Sequence, residues 1–289
     1  MFVKNLREIR KWTARAAARS LALDVLSCNV VARFEEVNRT GSGVVQFVYL
    51  HHVFDDELEG LLRLLAFLKT YYRFVSYSEA VELLRSDELH ESVCTISFDD
   101  GFSCALSRAQ ILKDEGISAM YFVCPRIVDN AVDYNFLTHY CREQHGLPLV
   151  EHAGWGDLET AVSMGHEIGA HTLSHSRLTS ISADQAVEEI AKSREQVRRY
   201  LGDCKHFAWP YGRFDDFSSM LSTKVFEAGF DSCASIERGS HAPDPGDYPI
   251  CIHRDHLMAN WSLKHAMYFL NRSARSPLSH KESWPANWY

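Results

Sequence analysis

No stretch of the chain approaches the roughly 18 to 20 consecutive apolar residues that a membrane-spanning helix needs, so no such span is expected. Residues 1–20 carry basic side chains but no continuous apolar core ahead of a small-residue cleavage site, so a signal peptide is not expected either. There is no Cys-x-x-Cys pair: the eight cysteines, at 28, 94, 104, 124, 141, 204, 233 and 251, are scattered, several inside apolar runs such as Val93-Cys94-Thr95-Ile96. Free cysteine there behaves as a small hydrophobe, which favours a reduced, cytoplasmic setting without disulfide-linked partners. Basic excess is missing too. A formal net charge of -8 argues against a general nucleic-acid binder, which must neutralise phosphates. Repeats, low-complexity tracts and Pro/Gly/Ser-rich linkers are also lacking, so one catalytic domain with end extensions is expected.

What is present is enough for one large core: 289 residues, 46% hydrophobic and 24% charged, are ordinary for a globular α/β domain. The divisions expected are an N-terminal basic helical extension over 1–40, a barrel over 41–272 and a tail over 273–289. In the extension, Arg7, Lys11, Arg15 and Arg19 recur every four residues, with Phe2, Leu6 and Ile9 on another face. Such a helix could lie on an anionic membrane, giving a protein peripheral to the inner membrane face, or lean on the barrel. The tail carries Trp284, Trp288 and Tyr289, for docking on the body or on a partner.

From about residue 44, short apolar runs alternate with longer helical ones. Val44 to Leu50 reads as a strand, and Asp55 to Thr70 as a helix with apolar spacing at Leu58, Leu61, Leu62, Leu65 and Phe67. Val93 to Phe98 is a strand, Ser103 to Glu115 a helix closing at Gly116, and Ser118 to Cys124 a strand. A long connection runs from Pro125 to Gly154, and a short helix begins near Trp155. Strands then follow at 166–170, 206–209 and 230–235, with helices at 184–201 and 218–228 between them. Repeated strand–helix units predict a parallel sheet, open or closed into a barrel, with catalytic groups at the carboxyl ends of its strands.

Three Phe-Asp-Asp triplets occur, at 54–56, 98–100 and 214–216. Those at Asp55-Asp56 and Asp215-Asp216 precede helical patterns and are expected to cap them. Asp99-Asp100 instead ends a strand, where adjacent buried carboxylates repel and a cation is the natural remedy. His171 and His175 stand four apart after another strand. With one carboxylate they would supply three metal ligands and leave a fourth position for water, as in catalytic zinc sites. By itself the His-x-x-x-His spacing is a weak signal. His139, His145 and His152, in the long connection, are expected to be surface residues or substrate-loop contacts.

Thr95-Ile96-Ser97-Phe98-Asp99-Asp100-Gly101 resembles the first motif of the polysaccharide deacetylase (NodB-homology, carbohydrate esterase family 4) family. Residues 165–175, Gly-His-Glu-Ile-Gly-Ala-His-Thr-Leu-Ser-His, are similar to its second motif, and Phe207-Ala208-Trp209-Pro210-Tyr211-Gly212 to its third. The likeness covers roughly residues 44 to 270. It implies an irregular (β/α)7 barrel. It further implies that Asp100, His171 and His175 hold a divalent metal, Zn2+ foremost, with Co2+, Ni2+ or Fe2+ as alternatives. Asp99 would then be the general base acting on metal-bound water, and the backbone N–H of Tyr211 would steady the oxyanion. Trp209 and Tyr211 could offer faces to sugar rings, or pack the barrel.

Two parts of the family pattern are loose. The general acid is often a histidine in a late motif, here only approximated around His253. In a permuted subgroup acting on poly-N-acetylglucosamine-like chains it comes from an N-terminal element that Tyr49-Leu50-His51-His52-Val53 resembles. His51 is preferred to His253. The arginine that often orients the base has alanine, Ala208, in its place, leaving Arg254 or nothing. The resemblance thus implies a metal-dependent hydrolase removing N-acetyl groups from an amino sugar or polysaccharide precursor. The alternatives are an amidohydrolase of a small non-sugar amide, since fold does not fix substrate, and a decayed glycan-binding module.

Overall fold

A computed structural model describes residues 2–9, 14–27, 30, 34–35, 43–86 and 89–288, with the side chains of 14–17 left out. Its framework follows from side-chain alternation in nine short strands: β1 (Val45–Leu50), β2 (Arg73–Phe74), β3 (Val93–Phe98), β4 (Ala119–Val123), β5 (Glu167–Ala170), β6 (His206–Ala208), β7 (Ser232–Ala234), β8 (Cys251–Ile252) and β9 (Asp255–His256). β1, β3, β4, β6, β7 and β8 are buried along their whole length, as parallel strands with both faces covered must be. Every pairing among the nine is parallel.

The order is β8-β7-β6-β5-β4-β3-β1-β9, with β2 on the first residues of β3. Its two ends belong to one segment. β8 pairs with β7 through Cys251 and Ile252, and β9 pairs with β1 through Asp255 and His256. The chain itself therefore closes the sheet into a ring of seven staves, the irregular (β/α)7 barrel. Inside it lie Val45, Phe47, Val93, Met120, Phe122, Ala208, Ala234, Ile250 and Ile252. Outside, Val48, Leu50, Ile96, Phe98, Tyr121, Val123, Phe207 and Cys251 pack against the helical layer.

Helix boundaries follow local chemistry. Helix Ala183–Leu201 begins at Ser182, whose Oγ accepts from the N–H of Gln185, and ends at Gly202 with φ 85°. Helix Ser219–Glu227 is capped by Ser218. The Asp215-Asp216 pair is not its cap: Asp216 pairs with Arg177. Asp56 likewise leaves its own helix, Leu58–Tyr71, and accepts from the N–H groups of Leu6 and Arg7. It thereby fastens helix Leu6–Ile9 to the barrel. The expected single helix over 103–115 is two, Ser103–Leu106 and Ala109–Asp114, and the long connection folds into helices Pro125–Asp129 and Tyr134–Tyr140.

The extensions dock on the body. Helix Ala14–Leu26 packs against helix Leu263–Ala274, where Asp24 meets His265 at 2.8 Å, and it leaves Leu21, Val25 and Leu26 exposed. Arg7 and Arg19 are exposed, whereas Lys11 and the side chain of Arg15 lie outside the described residues. In the tail, Trp284 donates to the Pro249 carbonyl and stacks on Trp288, which meets Phe214 and Phe217. Tyr289 and Cys28 lie outside the described residues; the other seven cysteines are free thiols, six of them buried.

Several core histidines must stay neutral. His241 Nε2 accepts from the His253 N–H at 2.9 Å, and His206 sits between the hydroxyls of Ser78 and Ser232, both at 2.9 Å. Burial pushes each down to about 3, from an ordinary 6.5. The unfolded chain therefore binds protons that the fold refuses once the pH drops below 6.5, so stability falls with pH from there down to about 3. Each group costs about 1.4 kcal/mol per pH unit over that window, and the two together about 4 kcal/mol by pH 5. Thermal melts should show a clear drop in Tm between pH 7 and pH 5; an unchanged Tm would contradict this account.

Candidate functional site

At the carboxyl end of the barrel, alternation decides which side chains face inward. On β3, Ser97 and then Asp99 follow Val93 into the interior, and on the closing segment Arg254 follows Ile250 and Ile252. Arg254 has no exposed surface. Its guanidinium donates to both oxygens of Asp99, at 2.8 and 2.9 Å, and to the Ser235 carbonyl. It also lies 4.5 Å from the Tyr49 ring, a cation–π contact that helps hold a buried cation. Of the two options left open beside Asp99, the geometry supplies Arg254, which grips the carboxylate in a bidentate fork.

Asp100 turns the other way. Its φ of 72° is left-handed, which a non-glycine residue adopts at a cost. Oδ1 of Asp100 lies 3.1 Å from His175 Nε2 and 3.4 Å from His171 Nε2, and Oδ2 lies 3.8 Å from His145 Nδ1. Burial works to raise this carboxyl, but the imidazoles of His145, His171 and His175 outweigh it and hold it well below the usual range. For His171, burial would lower the ring, yet Asp100 and Asp99 leave it raised. His171 Nδ1 donates to the Ala208 carbonyl at 2.7 Å, so in the neutral ring the Nε2 lone pair faces Asp100, the backing common for metal-bound histidines. Two ring nitrogens converging on one carboxylate oxygen fit a divalent cation.

His51, facing inward after Tyr49, lines a cavity of about 170 Å3 with Asp100, Phe102, His145 and His256. Burial lowers its imidazole below the ordinary value, while Asp100 and Asp99 pull it back up. The His256 ring lies 5.3 Å away. Tyr211 stands beside His175, ring centroids 5.5 Å apart, with φ 63° and its hydroxyl donating to Gln144. Gly212, also left-handed at φ 68°, admits no side chain because a Cβ would lie 2.4 Å from Ile236.

The structure brings Asp99, Asp100, His171, His175, His51 and Tyr211 to one end of the barrel. It separates two other candidates. Trp209 follows Phe207 to the outer face of β6, has no exposed surface, and stacks on Phe217 at 4.4 Å with its Nε1 donating to Arg213. It cannot offer a face to a sugar, and packing is its role. His253 faces outward for the same reason, and its ring is buried and bonded to the Ser283 carbonyl. It is not placed to donate a proton in the site. In the long connection His139 is exposed, but His145 and His152 are not surface residues: His145 reaches Asp100, and His152 is buried against Phe102 and Tyr140. His145 had no motif to mark it; its position depends on how the 125–154 connection folds.

The fold is matched by known proteins. Residues 86–225 match the family model described as polysaccharide deacetylase. The solved structure of IcaB from Ammonifex degensii is similar at 20% identity and a TM-score of 0.60, over 80% of this chain and 99% of that one. The deacetylase PplD of Streptococcus pyogenes, in complex with acetate, is similar at 16% identity and a TM-score of 0.63, over 79% and 98%. A de-N-acetylase from Aggregatibacter actinomycetemcomitans is similar at 17% identity and a TM-score of 0.64, over 78% and 99%. At these identities the likeness shows the shared fold. No curated protein matches the chain.

The buried fork makes a sharp prediction. Arg254→Met strands the Asp99 carboxylate inside the barrel and should destabilise the protein by about 3–5 kcal/mol, read as a shift in denaturant midpoint. Adding Asp99→Asn should recover part of that loss. A single variant as stable as the parent would refute the coupling.

Proposed function

We propose that this domain removes the N-acetyl group of an amino sugar by hydrolysis, releasing acetate and a free amine. The observation that carries the reading is a clamped carboxylate, Asp99, adjacent in the chain to a histidine-ringed one, Asp100, which lines a pocket together with His51. Asp100, His171 and His175 would hold a divalent cation, zinc first among the candidates. When bound, such an ion acidifies a water and polarises a carbonyl oxygen.

The chain's own groups do the rest. Asp99, fixed by Arg254, accepts the proton of the attacking water as its oxygen bonds to the acetyl carbon. The backbone N–H of Tyr211 steadies the negative charge that builds on the carbonyl oxygen. His51 delivers a proton to the amide nitrogen as the carbon–nitrogen bond breaks. Burial disfavours its protonated form, and the carboxylates of Asp99 and Asp100 are what make that form accessible. A histidine directly after β1 with an arginine on the last stave supports the poly-N-acetylglucosamine subgroup, and the similar structures named as a deacetylase and a de-N-acetylase support an N-acetylated glycan as substrate.

One observation favours a second reading. The pocket is small, about 170 Å3, and Trp209 builds no sugar platform, so a small non-sugar amide remains the competing substrate class. Acetate release from N-acetylglucosamine oligomers separates the two. Release should require the metal-loaded protein, be abolished by Asp99→Asn and fall by about 10²–10⁴-fold in His51→Ala, with His253→Gln close to the parent. No release from loaded parent protein, with turnover of a small acetamide instead, would overturn the glycan reading.

A further inference from the structure

The long connection between β4 and β5 does more than cover the barrel. After helix Tyr134–Tyr140 the chain tightens into a π-helical turn, Cys141–His145, and leaves it through Gly146 in the left-handed conformation, φ 62°. Such turns are rare and recur at functional sites. This one ends over the cluster of carboxylate and imidazoles. Ligand atoms of Asp100, His145 and His175 all lie within 4.8 Å of one another. Around a zinc expanded to five-coordinate, with metal–ligand distances of about 2.1 Å, neighbouring donor atoms sit roughly 3 Å apart, so shifts of about an ångström or less in each side chain bring the three onto one ion and leave a position for water.

The orientation of His145 also suits a ligand. Its Nε2 lies 3.2 Å from the Tyr140 hydroxyl, which can accept the ring hydrogen and leave the Nδ1 lone pair directed at Asp100. That is the arrangement His171 has through the Ala208 carbonyl. The ring is wedged against Phe102, Tyr140 and His175, with centroids 5.0 to 5.4 Å away, and its side chain is only 11% exposed. Gln144, one residue before, accepts from the Tyr211 hydroxyl. The same turn is therefore tied to both sides of the site.

We infer that His145 is a fourth protein ligand of the divalent cation, supplied by the β4–β5 connection, in addition to Asp100, His171 and His175. The inference rests on the metal-centre reading above.

X-ray absorption of the zinc-loaded parent protein counts imidazoles directly: three are expected, and two would overturn the inference. In parallel, zinc affinity is measured by chelator competition for the parent, His145→Gln and the exposed-histidine control His139→Gln. His145→Gln should weaken binding by more than about 100-fold, beyond the roughly 10–100-fold loss typical of an outer-shell partner, and change the visible spectrum of the cobalt-loaded protein; His139→Gln should do neither. An affinity within about twofold of the parent and an unchanged cobalt spectrum would refute the role of His145 alone. A parent that binds neither zinc nor cobalt would instead bring down the metal centre itself.

Discussion

The bidentate pairing of Arg254 with Asp99 is the constraint on which the rest depends. A guanidinium with no exposed surface cannot stand alone inside a barrel, and neither can the carboxylate it meets. Arg254 sits where β8 gives way to β9, the point at which one segment joins both ends of the sheet. The ion pair thereby ties the closing stave to β3 across the barrel, while Ser235 and Tyr49 satisfy the remaining faces of the guanidinium. With Asp99 held inward, the next residue must turn sharply, and Asp100 is delivered to the histidines. Closure of the fold and assembly of the site are the same interaction.

That turn belongs to a pattern. Among the described residues, the non-glycine positions with positive φ are Asp100, Thr172, His175 and Tyr211, and every one lies in a motif loop of the site. Left-handed conformations of this kind cost about 1–2 kcal/mol each. They persist where surrounding packing over-determines them, most often where function needs a particular direction of a side chain or N–H. The covered parallel barrel supplies that rigidity. The helix layer and the docked tail, with Trp284 and Trp288 packed against the body, add to the buried surface that offsets the strain.

Most of the framework was legible because it is local. Apolar runs marked β1, β3 and β4, and glycine stops bounded helices, so a parallel strand–helix sheet and the ends carrying Asp99, Asp100, His171 and His175 could be placed from spacing, whereas its closure into a barrel rested on the resemblance. The two-residue pieces β2, β8 and β9 carry too little pattern to be read. Yet alternation alone separates Arg254 from His253 and turns Trp209 outward: Ile250, Ile252 and Arg254 share one face, as do Phe207 and Trp209. Residue type pointed toward Trp209 as a sugar platform, and strand parity overrules it. His145 was not legible, because its approach to Asp100 is a tertiary contact made by an irregular turn 45 residues along the chain.

The most direct measurement is a crystal structure of the metal-loaded protein soaked with acetate, the proposed product, with anomalous data collected at the metal's absorption edge. The account predicts one strong anomalous peak within bonding reach of Asp100, His171 and His175, and acetate in the cavity lined by His51. A peak at any other place, or a metal-free cluster with His51 turned away from the bound acetate, would contradict it.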